Sequence, residues 1–250
     1  MSVRRSSPPV RAARPVDMVS DHHHRNVRGG AARAAVFGIS DGLVTNVSLI
    51  LGVAGANASG PAVRLAGLAL LIAGAFSMAS GEYVSMRAQA ELLERELDME
   101  RTEIARRPEY ERRELVQLYR SRGIDEDLAE ELATEMHRDP QRALETHARE
   151  ELGIDPNELG SPLAAAGSSF ASFAVGAVIP LAPWFVAHGT TALLASMVLG
   201  VVAAVVVGVA LSSFTGRPAT RSAARQLAFT AIPAVVTFAV GHLIGRGVAA

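Results

Sequence analysis

The chain has 250 residues, of which 49% are hydrophobic and 20% are charged, and its formal net charge is −1. A charge so near zero gives no general attraction to nucleic acid, so no nucleic-acid partner is expected. The absence of cysteine excludes disulfides, zinc–thiolate sites and thiol catalysis. Of the 25 acidic residues, 21 lie between residues 87 and 160. This segregation indicates an integral membrane protein with one polar insert.

Residues 1–30 form an N-terminal arm rich in Arg, Ser and Pro, and its composition predicts disorder. The arm has no apolar segment of the kind found in a signal peptide. His22, His23 and His24 are able to bind a metal, but adjacent histidines are equally compatible with a solvated arm.

Five later segments have the roughly 20 mostly apolar residues that a membrane-spanning helix needs. The first two lie within residues 31–86 and the other three within residues 161–250. Five helices rich in small residues make a compact bundle with little room for a path through one subunit. We therefore expect a homodimer, with a path near the interface. The predicted spans are residues 33–56, 62–85, 162–187, 190–214 and 223–244.

Arginine placement predicts the orientation in the lipid bilayer. Arginines precede the first span and follow the fourth, whereas the turns after the first and third spans contain none. The positive-inside rule then places the N-terminus, the insert and the loop at 215–225 in the cytoplasm. The absence of cysteine and lysine suggests a bacterium, and hence a bacterial plasma membrane. The arginines concerned are Arg25, Arg28, Arg33, Arg217, Arg221 and Arg225.

The insert, residues 87–160, has only helical patterns, so the predicted fold class is all-α. The second span continues without a break signal to Arg106, so one long helix is expected to leave the membrane. Three shorter helices follow, over residues 109–121, 125–137 and 139–153. Asp125 is the expected N-cap of the second of these, and Asp139-Pro140 opens the third.

An aspartate within the first span is the feature that most needs a function. A charge near mid-bilayer costs about 2.5–3.5 kcal/mol on insertion scales, so Asp41 is expected to face protein or water. Thr45 shares its helix face and Asn46 lies beside it, while Met78 and Glu82 share a face of the second span. These oxygen and sulfur ligands suit Fe²⁺ or Mn²⁺, and proton release from a carboxylate would couple metal to H⁺.

These membrane residues also have simpler interpretations. Met78 could be ordinary packing, and Glu82 could lie in water at the cytoplasmic interface. Asp41 could instead accept a helix N-terminus or pair with an arginine of the bundle.

Carboxylates recur at helical spacings along the insert and could meet around metal ions, as in carboxylate-bridged helical bundles. A solvated charged face is the alternative, because 12 arginines share the insert. No prosthetic group is predicted, and Fe²⁺ and Mn²⁺ are expected as bound and transported ions. The candidate ligands are Glu100 and Glu103 with Glu96 one turn before them, Glu111 and Glu114, and His147, Glu150 and Glu151.

The strings FGISDGLVTNVSLILGVAGA and GAFSMASGEYVS, with the later GAVIPLAPW and SSFTGRP, resemble the vacuolar iron transporter family. The resemblance runs from about Arg33 to the C-terminus. It implies a five-span protomer and a homodimer with its path between the two first helices. It also implies that Fe²⁺ or Mn²⁺ leaves the cytoplasm in exchange for H⁺.

The resemblance assigns roles to individual residues. Asp41 matches the family's transport aspartate, Met78 matches its span-two methionine, and Glu82 stands in a common GEY string. Leu70 stands where well-described plant members have a glutamate, and His147 and Ala148 replace paired methionines. These departures affect the metal preference. The residues that match the family's carboxylate ligands are Glu100, Glu103, Glu111, Glu114 and Glu151.

The function expected from the sequence is export of Fe²⁺ or Mn²⁺ from the cytoplasm by H⁺ antiport, for detoxification and homeostasis. A non-enzymatic alternative is a membrane-anchored metal store or sensor, which would need the insert but not Asp41. A membrane ferroxidase is a further alternative, and it would need redox cycling at the insert.

Overall fold

A computed structural model describes residues 30–153, 155–156 and 160–248, and the regular structure of these residues is helical, without strands. The all-α prediction is confirmed for this part of the chain. The predicted disorder of the arm, apart from Gly30, and the histidines at 22–24 lie outside the described residues.

Five helices in the described residues are long and apolar enough to cross a membrane, which confirms the five predicted spans. They are α1, the first part of α2, α6, α8 and α9. The bounds are α1 Gly30–Gly55, α2 Gly60–Arg106, α3 Pro108–Ser121, α4 Glu126–Met136, α5 Pro140–Glu150, α6 Pro162–Leu181, α7 Pro183–Val186, α8 Gly189–Thr215 and α9 Ala219–Val248.

The third span is shorter than its apolar sequence predicts. The hydrophobic run predicts a helix to residue 187, but α6 ends at Leu181 and Pro183 begins the separate short helix α7. Proline has no backbone N–H and its ring clashes with the preceding turn, so the helical hydrogen-bond ladder is interrupted there.

Helix α1 is the centre of the bundle and packs against α2, α6, α8 and α9. Its contact with α6 is a backbone contact made possible by glycine. A Cβ atom on Gly42 would lie 2.1 Å from the carbonyl oxygen of Phe173, and one on Gly176 would lie 2.3 Å from that of Ile39. Small residues allow this close approach between helices in lipid, where van der Waals contact is a main source of association.

The middle of the bundle is filled by apolar side chains. Leu43, Val47 and Leu51 of α1 form one cluster with residues of α8 and α9. Ile50, on another face of α1, forms a second cluster with residues of α2, α6, α7 and α8, including Trp184. Apolar side chains therefore fill the space between α1 and its neighbours at these levels.

Side chains of neighbouring helices satisfy carbonyl groups near the α6 prolines. The buried amide of Asn46 donates a hydrogen bond of 2.6 Å to the carbonyl oxygen of Ala177. The hydroxyl of Ser196 donates one of 2.7 Å to the carbonyl oxygen of Pro180. These hydrogen bonds join α1 and α8 to α6 and keep polar groups paired within the protein, as a bilayer requires.

The insert is built on the long helix α2, which continues unbroken from its apolar part to Arg106 and ends before Pro108, as predicted. Helices α3 and α4 share one apolar cluster, and α5 packs against α2 through another. The carboxylate of Asp125 accepts from the N–H of Asp127 at 3.1 Å, and that of Asp139 accepts from Gln141 at 2.8 Å. Both predicted helix starts are confirmed.

Candidate metal centre

Three helices of the insert place a polar residue on a face that otherwise packs as core. On α2, the buried carboxylate Glu100 lies between Leu97 and Ile104, which contact α5. On α5, His147 is buried beside Ala148, and on α3 Glu111 is buried one turn before the core residue Leu115. The amphipathic pattern of each helix therefore turns a glutamate or histidine inward.

The inward side chains meet the exposed Glu103 and Glu151 in two groups that share Glu100. In the first, Nδ1 of His147 lies 3.0 Å from Oε1 of Glu100 and 3.2 Å from Oε2 of Glu151. In the second, Glu100 meets Glu103 and Glu111, and within each group one ligand atom per residue lies within 4.8 Å of the others. This spacing allows each group to share one cation.

One oxygen of this cluster lacks a partner. Oε1 of Glu100 is buried and has no hydrogen bond within the described residues, although Nδ1 of His147 lies 3.0 Å away. An unsatisfied buried acceptor costs about 1–3 kcal/mol, and more when it is charged. A cation would satisfy it, and ligands with carboxylate oxygen and imidazole nitrogen suit divalent iron or manganese. The residues present thus fit a metal ion.

The electrostatics of the cluster favour a positive ion. Burial raises the pKa of Glu111, and the carboxylates of Glu100 and Glu114 raise it further. Burial and the charge of Glu151 likewise raise the pKa of Glu114. Burial alone would lower the pKa of His147, but the adjacent Glu100 and Glu151 reverse this and raise it. Protons and metal ions therefore compete for the same groups.

A groove of about 960 Å³ gives access to the cluster from solution. Four of the predicted ligands line it, and they come from three parts of the insert. The rest of the lining is of mixed charge, with the carboxylates of Glu91, Glu94 and Asp98 beside arginines of the same groove. The ligands along the groove are Glu103, Glu111, Glu114 and Glu151.

Glu150 does not belong to either group. Its carboxylate pairs with Arg122, whose guanidinium also donates to the backbone carbonyl of Glu150 at 2.7 Å. Its role as a metal ligand stays a prediction, and it would require this ion pair to open.

A histidine that the sequence did not single out joins the cluster. His137, which follows α4, lies with Nε2 3.3 Å from Nε2 of His147. Its position at a helix end gives no periodic signal, so only the packing of α4 against α5 reveals the contact.

The predicted membrane residues of α1 have separate environments. Asp41 is half-buried, and among the described residues its carboxylate has no hydrogen bond or ion pair. Thr45 donates its hydroxyl to the backbone carbonyl of Asp41 at 2.6 Å rather than to the carboxylate. Asn46 is fully buried and faces α6 through its bond to Ala177, while its Oδ1 has no partner within the described residues.

The predicted membrane residues of α2, Met78 and Glu82, also have separate environments. Met78 is half-buried and packs against the cluster formed by Ala75, Phe173 and Ala177, so it has a packing role in the single chain. Glu82 accepts a hydrogen bond of 2.7 Å from Arg33 of α1. The sequence did not predict this ion pair, because Arg33 was interpreted only as part of the positive charge that sets the orientation.

Five apolar helices and an insert with clustered, partly buried carboxylates define a polytopic α-helical membrane protein with a site of metal-ligand geometry. The sequence model of the VIT family, a transporter family, matches residues 32–242. The chain belongs to this family.

Curated relatives support the assignment over most of the chain. The chain is 31% identical to vacuolar iron transporter 1 of Arabidopsis thaliana over 227 residues, 90% of this chain and 91% of the relative. It is 30% identical to vacuolar iron transporter 1 of Eucalyptus grandis, covering 86% and 87% of the two chains. It is 40% identical to the vacuolar iron transporter of Acanthamoeba castellanii over 65% of this chain and 59% of the relative.

Proposed function

We propose that this protein moves Fe²⁺ or Mn²⁺ out of the cytoplasm in exchange for H⁺, and so limits metal toxicity. The observation that carries the proposal is the continuity of α2. One unbroken helix bears Met78 and Glu82 in its apolar part and Glu100 and Glu103 in the insert. The relatives are named as iron transporters, which supports iron as the substrate, and the oxygen-rich ligands extend the range to manganese.

The insert captures the ion in this mechanism. At 1.5 Å per residue, Glu100 lies roughly 27 Å along α2 from Glu82. Glu91 of α2 also lines the groove beside the cluster. Carboxylates are therefore present along part of α2 between the cluster and the membrane.

The membrane step takes place between two copies of the chain. The middle of one bundle is filled by the apolar clusters around α1, which argues against a path through a single protomer. Asp41 is half-buried and unpaired within the described residues, as expected of a side chain that faces a second copy. The same residue from two protomers would then supply two carboxylates to one ion.

Proton exchange follows from carboxylate chemistry. A carboxylate must be deprotonated to bind a metal, so protons that arrive from the far side compete with the ion at Asp41 and release it. At the cytoplasmic entrance, the ion pair between Arg33 and Glu82 would have to open before Glu82 could contact the metal.

Arginine placement supports a cytoplasmic N-terminus and insert. The relatives are named as vacuolar proteins, which accords with movement of metal from cytoplasm into a compartment. Those names do not support the bacterial plasma membrane suggested by composition.

A membrane-anchored metal store or sensor is the second candidate. The observation that favours it is that the insert holds its ligand cluster with its own apolar contacts, independently of the spans. Such a protein would bind metal without moving it.

Flux measurements separate the two candidates. The purified chain is reconstituted into liposomes that contain a Mn²⁺ indicator and a pH dye. The transporter predicts Mn²⁺ entry with a rise in internal pH as protons leave. Mn²⁺ binding to the protein without entry into the liposomes would overturn the transport proposal in favour of a store or sensor.

A further inference from the structure

Two histidines of the insert meet edge to face beside the ligand cluster. Their ring centroids are 5.2 Å apart at an interplanar angle of 87°, and their Nε2 atoms are 3.3 Å apart. His147 is only 1% exposed, whereas His137 is half-buried at the end of α4. The contact joins α4 to α5 next to the residues that could hold a metal.

The hydrogen bonds determine which nitrogens carry protons. Nδ1 of His137 lies 2.9 Å from the backbone carbonyl oxygen of Ala133, which can only accept, so Nδ1 carries the hydrogen. A neutral ring then has an unprotonated Nε2 that accepts. Its neighbour at 3.3 Å, Nε2 of His147, must therefore be the donor.

This assignment leaves Nδ1 of His147 free to act as a ligand. With its hydrogen on Nε2, a neutral His147 presents a lone pair at Nδ1, which faces the carboxylate oxygens of Glu100 and Glu151 at 3.0 and 3.2 Å. Without a metal, a proton on Nδ1 can bond the ring to Glu151, and a metal ion would take the place of that proton among the three converging atoms. A histidine ligand commonly holds its other ring N–H in such an outer hydrogen bond, which fixes the tautomer and the ring orientation.

We propose that His137 is a positioning residue for the metal centre: it holds the N–H at Nε2 of His147, so that Nδ1 completes a site with Glu100 and Glu151. This inference rests on the proposed capture of metal by the insert and adds a residue to it. His137 does not itself contact the metal in this arrangement. It acts through His147 alone.

The test uses the full-length protein in detergent with Mn²⁺ as the probe. Affinity is measured by EPR titration, and directly bound nitrogen is measured by pulsed EPR. The variants are His137→Leu, which removes the acceptor, and His137→Gln, whose amide oxygen can still accept from His147. The control is His188→Leu, a histidine substitution at the start of α8, outside the insert.

The proposal predicts that His137→Leu weakens Mn²⁺ binding at this site about 10- to 100-fold and reduces the nitrogen signal. His137→Gln should restore much of both, and His188→Leu should change neither. In a His147→Leu background, His137→Leu should have no further effect, because residues that act as one unit are not additive. The wild-type signal should come from one ring.

Three results would overturn the proposal. Unchanged affinity and nitrogen signal in His137→Leu would show that His147 needs no partner. A full effect of His137→Leu in the His147→Leu background would indicate a general structural role. Two directly bound rings in the wild type would make His137 a ligand. If the wild type binds no Mn²⁺, the proposed capture by the insert fails as well, so the two failures are distinguishable.

Discussion

Individual residues of the insert are placed where they weaken the metal-free fold. Glu100 and Glu111 are only 6% and 4% exposed, in positions that would normally hold apolar side chains. Burying carboxylates beside one another is unfavourable unless a cation is present. A bound metal should therefore stabilise the insert by more than it would an ordinary surface cluster.

Glu111→Gln tests this trade-off between stability and binding. Removing one of several like charges should stabilise the metal-free protein at neutral pH, because burial and the neighbouring carboxylates raise the pKa of Glu111 and so disfavour its charged form. The same change should reduce the additional stabilisation by Mn²⁺. Thermal unfolding in detergent, with and without Mn²⁺, measures both effects.

Glu130→Gln is the matched control, since Glu130 is exposed on α4. It should leave both unfolding temperatures nearly unchanged. A Glu111→Gln variant that is less stable without metal, yet gains as much from Mn²⁺ as the wild type, would contradict the account.

Sequence periodicity was sufficient to propose Glu100 and Glu103 as neighbours on one helix face, because that relation lies within a single helix. It could not reveal that His137 meets His147, or that Arg33 pairs with Glu82. Those contacts join different helices, and they depend on packing angles that no local pattern encodes.

The helices owe their arrangement to small residues and prolines at particular positions. Glycine lets α1 and α6 approach to backbone contact, and the proline at 183 ends the third span early. Helix starts at Asp125 and Asp139 were predictable from capping chemistry. The third span was predicted to run to about residue 187, whereas α6 ends at Leu181, because the apolar run continues past Pro183 and that proline begins the separate helix α7.

Gly176→Ala tests the backbone contact between α1 and α6. The new Cβ would lie 2.3 Å from the carbonyl oxygen of Ile39, so one helix must move. We expect a loss of about 1–3 kcal/mol in unfolding free energy, seen as a lower melting temperature in detergent.

The control is Gly167→Ala on the same helix, where a Cβ atom would meet nothing within 4 Å. Alanine has a higher helix propensity than glycine, so this substitution should leave the free energy of unfolding unchanged or raise it by up to about 1 kcal/mol. Equal destabilisation by the two substitutions would show that helix contact at Gly176 is not the cause.

At the scale of the whole molecule, five spans and one helical insert could be derived from the separation of apolar and acidic residues. The proposed orientation places the insert and the α8–α9 loop on one side and the α1–α2 turn on the other. The absence of cysteine makes this arrangement directly measurable, because any introduced thiol is the only one.

Single thiols at exposed positions should report the orientation. Ser59→Cys, in the α1–α2 turn, should react with a membrane-impermeant maleimide in intact bacterial cells that express the chain. Glu130→Cys in the insert and Thr220→Cys at the start of α9 should react only after permeabilisation. Labelling of Glu130→Cys in intact cells would place the insert on the outer side.

The central claim is that Asp41 carries metal across the membrane, and Asp41→Asn in Mn²⁺-flux proteoliposomes tests it most directly. Asparagine keeps the size of the side chain but cannot release a proton. The account predicts that Mn²⁺ entry and the opposing proton movement both fall to the level of empty liposomes, while Mn²⁺ still binds to the insert. Glu130→Gln, the charge-matched control, should transport normally. An Asp41→Asn protein that transports at the wild-type rate would contradict the account.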